Sequence, residues 1–269
     1  MADRASELTT MLRTLKLARM ASSYGEVAMR AARENYTHEA FLYELARQEC
    51  EQRAQRRVAR QIREAGLPTG KTFQTLQLEA FDRLVQQQVS QLRQGAFVRE
   101  AANVIAVGKP GVGKSHLAAA LGYDLISQGY PVLWTSTAAL MQRLLAAKRD
   151  LRLPRELSRL DRFACLILDD IGYVQHDQDE MEILFTLLAE RYERRSLVIT
   201  TNLMFSEWER IFKNPMTTMA AIDRVVHHSV ILDLMGLDSY RAKEATEQQT
   251  RVRASQKRAE PATEAPGSR

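Results

Sequence analysis

At 269 residues and 45% hydrophobic content the chain is long enough to bury one large core or two modest ones. No apolar run approaches the roughly 18 to 20 residues that span a bilayer, and "MADRASELTTMLRTL" has no apolar signal stretch, so a cytoplasmic protein without a membrane partner is expected. The net charge of +5 fits a nucleic-acid partner without requiring one, and two distant cysteines, Cys50 and Cys165, exclude a disulfide framework and a cysteine metal site.

Up to residue 95 the sequence reads as helices. "ELTTMLRTLKLARMASSYGEVAMRAAR" and "HEAFLYELARQECEQRAQRRVARQIREAG" contain no proline, and "GLPTGKT" at 66–72 breaks the pattern. In the second stretch Arg53, Arg56, Arg57, Arg60 and Arg63 recur at three- and four-residue steps along one helix face, with Ala54, Val58, Ile62 and Ala65 on another. Taken alone such a stripe favours a solvated face, partly neutralised by Glu49 and Glu51, over a DNA-backbone contact, which stays open as the competing reading.

From residue 103 short apolar runs alternate with amphipathic segments, the mark of βαβ units on a parallel sheet. The first run, "NVIAV", leads into "GKPGVGKS" and then the helical "KSHLAAALGYDLI", which is the strand–loop–helix setting of a phosphate-binding P-loop. Gly111 and Gly113 let successive N–H groups turn toward phosphate oxygens at a helix N-terminus, Lys114 adds charge for the β and γ phosphates, and Ser115 offers a hydroxyl to Mg²⁺. Gly108, Lys109, Pro110 and Val112 complete the loop, and His116 follows as a helix position near the nucleotide. No N-K-x-D guanine motif follows, so ATP is the expected ligand.

Next comes "AAKRDLRLPRELSRLDR", read as a charged loop whose Lys148, Arg149, Arg152 and Arg155 are candidates for tracking DNA phosphates without reading bases. The run "LILDDIG" then ends an apolar strand on two carboxylates: Asp169 suits Mg²⁺, and Asp170 suits orienting or deprotonating a water. "SLVITTN" ends on Asn202, whose amide can reach the γ-phosphate and the water, and "MAAIDRVVHHS" carries Arg224, a surface charge or an arginine finger for a neighbouring subunit. Adjacent His227 and His228 point apart on a helix and make no metal site. The segment 242–269 holds one large aliphatic residue, Val252, and reads as a disordered tail. The expected division is a helical domain 1–95 for DNA or partner binding, an ATPase domain 96–241 and the tail 242–269.

The ordered set "GKPGVGKS", "LILDDIG", "ITTN", "DRVVHHS" and "DSYR", preceded by a helical segment, resembles the IstB family, ATPase helpers of insertion-sequence transposition. More distantly it is similar to the DnaC-type helicase loaders, and both groups belong to the AAA+ initiator clade. The resemblance covers residues 8 to 241. It implies a P-loop α/β fold with a five-stranded parallel sheet, helices on both faces and a reduced or absent lid, assembled into rings or spirals with ATP between subunits. Carried over residue by residue, it implies Lys114 and Ser115 as P-loop residues, Asp169 for magnesium, Asp170 as the catalytic acid, Asn202 as the sensor, Arg224 as the finger and Arg241 as a second sensor. It further implies binding of double-stranded DNA without sequence preference, homo-oligomers, and recruitment and stimulation of an IstA-like transposase. The competing readings are a replicative helicase loader and an adaptor that uses ATP only as an assembly switch; a small-molecule kinase is disfavoured by the lack of an acceptor-site motif. Asp170 stands where a glutamate is common in AAA+ proteins, and its shorter reach implies slow hydrolysis.

Overall fold

The computed structural model describes residues 2–172, 178–212 and 215–237. In chain order the helices are α1 (Ala2–Thr14), α2 (Ala18–Arg33), α3 (His38–Ala65), α4 (Arg83–Leu92), α5 (Ala96–Arg99), α6 (Lys114–Ser127), α7 (Thr137–Arg149), α8 (Leu153–Leu160), α9 (Gln178–Arg191), α10 (Glu209–Phe212) and α11 (Pro215–Val226). The strands are β1 (Asn103–Val107), β2 (Val132–Ser136), β3 (Cys165–Asp169), β4 (Ser196–Thr201) and β5 (Ser229–Asp233). The chain forms two compact units, 1–64 and 65–269.

In the second unit five strands pair in the order β2-β3-β4-β1-β5, every neighbour parallel. Parallel sheets are covered on both faces, so their strands are apolar throughout, and β1 is buried at all its positions. Alternation then sends each side chain to one of two layers. Ile105, Val107, Leu166, Leu168, Leu197 and Ile199 pack with Leu140, Met141 and Leu144 of α7, Ile183, Leu184 and Leu187 of α9, and Ala221 and Val225 of α11. On the other face lies α6, whose small residues allow a close approach: a Cβ on Gly122 would stand 2.9 Å from Cδ1 of Ile167 and 2.8 Å from Cδ2 of Leu67. The five-stranded parallel sheet with helices on both faces agrees with the sequence expectation.

Two segments differ from that expectation. Residues 66–99 are part of the sheet-bearing unit, so the division falls at 64/65 and not at 95; α4 packs on β5, burying Val85, Val89 and Leu92, and Leu67 lies under α6. The basic stretch after β2 is not a loop but two helices. Lys148 and Arg149 form the last turn of α7, a turn with Leu151 at φ 55° follows, and Pro154 in the first turn starts α8. The spacing of Leu153, Leu157 and Leu160 makes α8 amphipathic and turns those three to the core. Arg191, 2% exposed, fastens this layer by donating to the carbonyls of Leu160 (3.1 Å), Phe163 (2.9 Å) and Ser196 (3.1 Å). Burial lowers its pKa to about 10 and raises that of the Cys165 thiol to about 12, so Cys165 is an inert core residue.

In the first unit a buried carboxylate organises the helices. No side chain caps α2 at Leu17, leaving amides of its first turn without intrahelical partners. Glu49 of α3, 4% exposed, supplies the missing acceptor: its Oε2 takes hydrogen bonds from the N–H groups of Arg19 (2.8 Å) and Met20 (3.1 Å). Arg53 donates to the other oxygen (2.9 Å) and, through Nη2, to the carbonyl of Lys16 (2.6 Å). Burial pushes the Glu49 pKa up, but the bonds from Met20, Arg53 and Arg19 outweigh it and hold the group below its ordinary value. These donors favour the ionised form. Their stabilisation is therefore complete above the ordinary glutamate pKa of about 4.3 and is lost as pH falls through the lower folded-state value. Glu49→Gln is expected to destabilise the helical unit by about 1–2 kcal/mol at pH 7. Thermal unfolding of the full chain should show that difference narrowing as pH falls through the folded-state pKa of Glu49, below the ordinary glutamate value; equal midpoints at pH 7 would contradict the capping role.

Candidate nucleotide site

Between β1 and α6 the chain must fold back within a few residues, and it does so through glycines at φ 86° (Gly111) and 100° (Gly113), a region side chains rarely adopt. Gly108 is tight for a second reason: a Cβ there would stand 2.9 Å from Cβ of Leu234, the residue whose N–H donates to the Val107 carbonyl. Lys109 and Pro110 are exposed, Val112 is buried, and Ser115 follows Lys114 in the first turn of α6. Nζ of Lys114 donates to the carbonyls of Gly108 (2.7 Å) and Lys109 (2.9 Å), which holds the ammonium over the loop. His116 turns instead to the segment 72–75. Its Nε2 lies 3.1 Å from both the Thr75 hydroxyl and the Thr72 carbonyl, while a Cβ on Gly113 would meet the Phe81 ring at 3.5 Å. The segment 72–81 thus flanks the P-loop, a neighbour the sequence did not reveal because nothing local in it bears on phosphate chemistry.

The two acids meet the P-loop across β4. Gly108 N–H donates to the Thr201 carbonyl (3.1 Å) on one side of that strand, and Ile171 N–H donates to the Thr200 carbonyl (3.0 Å) on the other. Thr200, 1% exposed, donates its hydroxyl to Oδ1 of Asp169 (2.7 Å) and accepts from the N–H of Asp170 (2.8 Å). The Thr137 hydroxyl holds the Asp169 carbonyl (3.3 Å). Asp170 is half-buried at φ 63°, with its pKa raised by burial first and the Asp169 charge second, and lowered by Lys114. Asn202 reaches toward the same place: a Cβ on Gly172 would lie 2.5 Å from its Oδ1, and that oxygen is buried with no hydrogen-bond partner among the described residues. Thr200 was not singled out in the sequence, although the period of two, counted back from Asn202, marks it as sharing a sheet face with that residue.

These residues fit a nucleotide and its metal. Lys114 and two glycine-bent turns at a helix start suit a polyphosphate, and the orphaned Asn202 oxygen shows a polar space next to the acids. Ser115 and Asp169 offer only hard oxygen donors, the set Mg²⁺ takes. Among the described residues no cluster of three or more His, Cys, Asp or Glu side chains could hold a metal alone.

Other candidate residues lie elsewhere. Arg224 sits at the opposite end of β1 from the P-loop, since Asn103, the first residue of β1, bonds the carbonyls of Val225 (3.1 Å) and His228 (2.7 Å). Its guanidinium stacks 4.6 Å over the Phe185 ring, and its Nη1 is buried with no hydrogen-bond partner among the described residues. His227 and His228 do not point apart as expected: both are exposed in the turn after α11, and their rings meet edge to face with centroids 4.4 Å apart. Arg241 and the tail lie outside the described residues. On α3, Arg56, Arg57, Arg60 and Arg63 are exposed, whereas Arg53 is tied to Glu49. Lys148 bridges Asp179 and Glu182 of α9 at 2.9 Å each, which raises its pKa. Arg152 pairs with Asp150, Arg149 is exposed, and Arg155 lies with Arg143, Arg152, Arg159 and Arg162 around a groove of about 810 Å³ between α7 and α8 that also holds Asp150 and Glu156. The spacing of 155, 159 and 162 carried that second basic face, which reading the stretch as a loop concealed. No helix among the described residues is long and apolar enough to cross a membrane.

Removing the P-loop ammonium tests the site directly. Lys114→Ala is expected to weaken ATP binding about 10- to 100-fold, the worth of charge-assisted hydrogen bonds, in a fluorescent ATP-analogue titration; unchanged affinity would contradict the assignment.

Comparison with known proteins agrees with this geometry. A family model described as IstB-like ATP binding protein matches residues 10–248. A relative from Sinorhizobium fredii (strain NBRC 101917 / NGR234), with an insertion sequence ATP-binding name, is 42% identical over 243 residues, covering 90% of this chain and 81% of its own. Another from Pseudomonas aeruginosa, named for ATP binding in insertion sequence IS21, is 35% identical over 238 residues, covering 88% and 89%. Among solved structures, AMPPCP-bound DnaA from Aquifex aeolicus matches with TM-score 0.54 at 15% identity over 69% of this chain and 56% of that one. DnaI matches with TM-score 0.53 at 16% identity over 63% and 95%. At such identities the likeness is one of fold. The sequence matches span the helical unit as well as the P-loop unit, and the chain therefore belongs to the IstB-like ATP-binding protein family, built on the P-loop AAA+ fold.

Proposed function

We propose that this chain is a Mg²⁺-dependent ATPase that assembles as a homo-oligomer on double-stranded DNA, without reading its sequence, and there recruits and stimulates an IstA-like transposase. The observation that carries the ATPase reading is the convergence at the end of β4, where the P-loop strand, the two acids and the unpartnered Asn202 oxygen come together. The insertion-sequence names of relatives at 42% and 35% identity favour transposition over helicase loading.

In this mechanism the loop amides from 108 to 113 and Lys114 hold the polyphosphate. Ser115 and Asp169 would hold Mg²⁺, which would supply charge neutralisation on the polyphosphate. Asp170 accepts the proton of the attacking water, and the Asn202 amide orients that water against the γ-phosphate. Arg224 is too far along β1 to serve its own P-loop: four residue steps at about 3.3 Å span about 13 Å. It acts on the nucleotide of an adjacent subunit, with Phe185 as its resting place. For DNA, the exposed arginines of α3 and those around the α7–α8 groove contact phosphates, while Arg53 and Lys148 hold helices together. Binding through phosphates makes log K fall linearly with log salt.

ATP turnover and particle size, with and without duplex DNA, test the reading. Wild type is expected to assemble on DNA only with ATP, and Lys114→Ala to block that assembly. Asp170→Asn should bind ATP but lose turnover at least about 100-fold; an active Asp170→Asn would remove the acid from the mechanism. Arg224→Ala should fail only in the assembled state, and full turnover there would exclude the finger. Gly172→Ala, whose new methyl displaces Asn202, should cut turnover about 10- to 100-fold with ATP affinity retained.

A further inference from the structure

We infer that Thr200 is a positioning residue for both acids, its one hydroxyl orienting the Asp169 carboxylate toward Mg²⁺ and holding the Asp170 backbone in its left-handed turn. The inference rests on the Mg²⁺-dependent reading of the site given above.

The direction of both hydrogen bonds follows from chemistry. A backbone N–H can only donate, so the Asp170 amide at 2.8 Å uses the Thr200 oxygen as acceptor. The hydroxyl proton is then left for Oδ1 of Asp169 at 2.7 Å, and an ionised carboxylate can only accept. The sheet makes this arrangement obligatory. Leu168 pairs with Ile199, so Asp169 and Thr200 stand side by side one step further on, on the face shared by Ile167 and Val198. Thr201 points to the other face, where its hydroxyl takes the Leu203 N–H at 3.0 Å.

Two consequences follow. With Oδ1 engaged, the carboxylate of Asp169 is fixed in rotation, and its remaining lone pairs are aimed in one direction. Asp170 leaves β3 at φ 63°, and the Thr200 carbonyl that would take its amide in a continued β3–β4 ladder is taken by the Ile171 N–H instead. The Thr200 hydroxyl oxygen replaces the lost partner. The turn that separates the two carboxylates is therefore clamped from both sides by a single residue.

Thr200→Val and Thr200→Ala remove the hydroxyl, and Thr200→Ser retains it. In the full-length protein, the Mg²⁺ half-saturation of fluorescent ATP-analogue binding should rise about tenfold in the Val and Ala variants and return to within about threefold of wild type in Ser. In steady-state kinetics kcat should fall about 10- to 100-fold with KM for Mg²⁺·ATP nearly unchanged, because the loss lies in orientation and not in phosphate binding. A wild-type Mg²⁺ half-saturation in both Val and Ala variants would overturn the inference. So would a defect that Ser fails to repair, since that would report lost packing at a buried site. A wild-type protein that binds Mg²⁺·ATP and never turns it over would defeat the hydrolytic reading, while the Mg²⁺ titration would still decide Thr200.

Discussion

The position of β4 between β1 and β3 is the constraint on which the site depends. In a parallel sheet all strands end on the same edge, so the groups that follow them gather there. Here the strand carrying the P-loop and the strand carrying the two acids are not neighbours, and β4 both separates and joins them. One edge of β4 fixes the loop through Gly108, the other fixes the turn after Asp170 through Ile171, and the Asn202 side chain lies against Gly172 at the end of that turn. The distance between phosphate cradle and carboxylates is thus set by hydrogen-bonded strand spacing, which is far stiffer than any surface loop.

Concentrating polar groups at the edge of an apolar sheet has a cost, and the structure shows where it is met. Asp169 and Asp170 are like charges on adjacent residues, one hydrogen-bonded, the other half-buried with a raised pKa. Lys114 offsets part of this repulsion across the site. Asp170 also holds a strained backbone angle, and Asn202 keeps a buried oxygen without a partner. Strain and unsatisfied polarity are tolerated where the surrounding packing is over-determined, as it is beneath this edge by Leu168, Ile171 and Ile199, all fully buried.

Charge elsewhere divides between structural and available groups. Arg191 joins α8, β3 and β4 through three carbonyls, and Glu49 with Arg53 closes the start of α2. Lys148 ties α7 to α9. These side chains look like members of basic or acidic runs in the sequence, yet their contacts are internal. Of the basic candidates, those that remain on the surface are a narrower set: the later arginines of α3, Arg149 at the end of α7, and the α8 face with Arg155, Arg159 and Arg162.

The sequence by itself determined the alternation of strands and helices, the P-loop and the acidic strand end, because each rests on local spacing: glycine beside lysine at a helix start, short continuous apolar runs, carboxylates after a buried strand. It also carried the family. It did not determine the place of residues 66–99, since "GLPTGKT" breaks a helix equally well between domains and within one, and only the packing of Leu67 under α6 and of α4 on β5 decides. Nor did it distinguish Arg53 from Arg56, or Lys148 from Arg155; the distant partners that separate them, Lys16 for Arg53 and Asp179 and Glu182 for Lys148, are 31 to 37 residues away. Thr200 shows the difference most plainly. As one of two threonines in "ITTN" it has no local signature, and it acquires one only when the strand order sets it beside Asp169, at a hydrogen-bond distance that no spacing along the chain encodes.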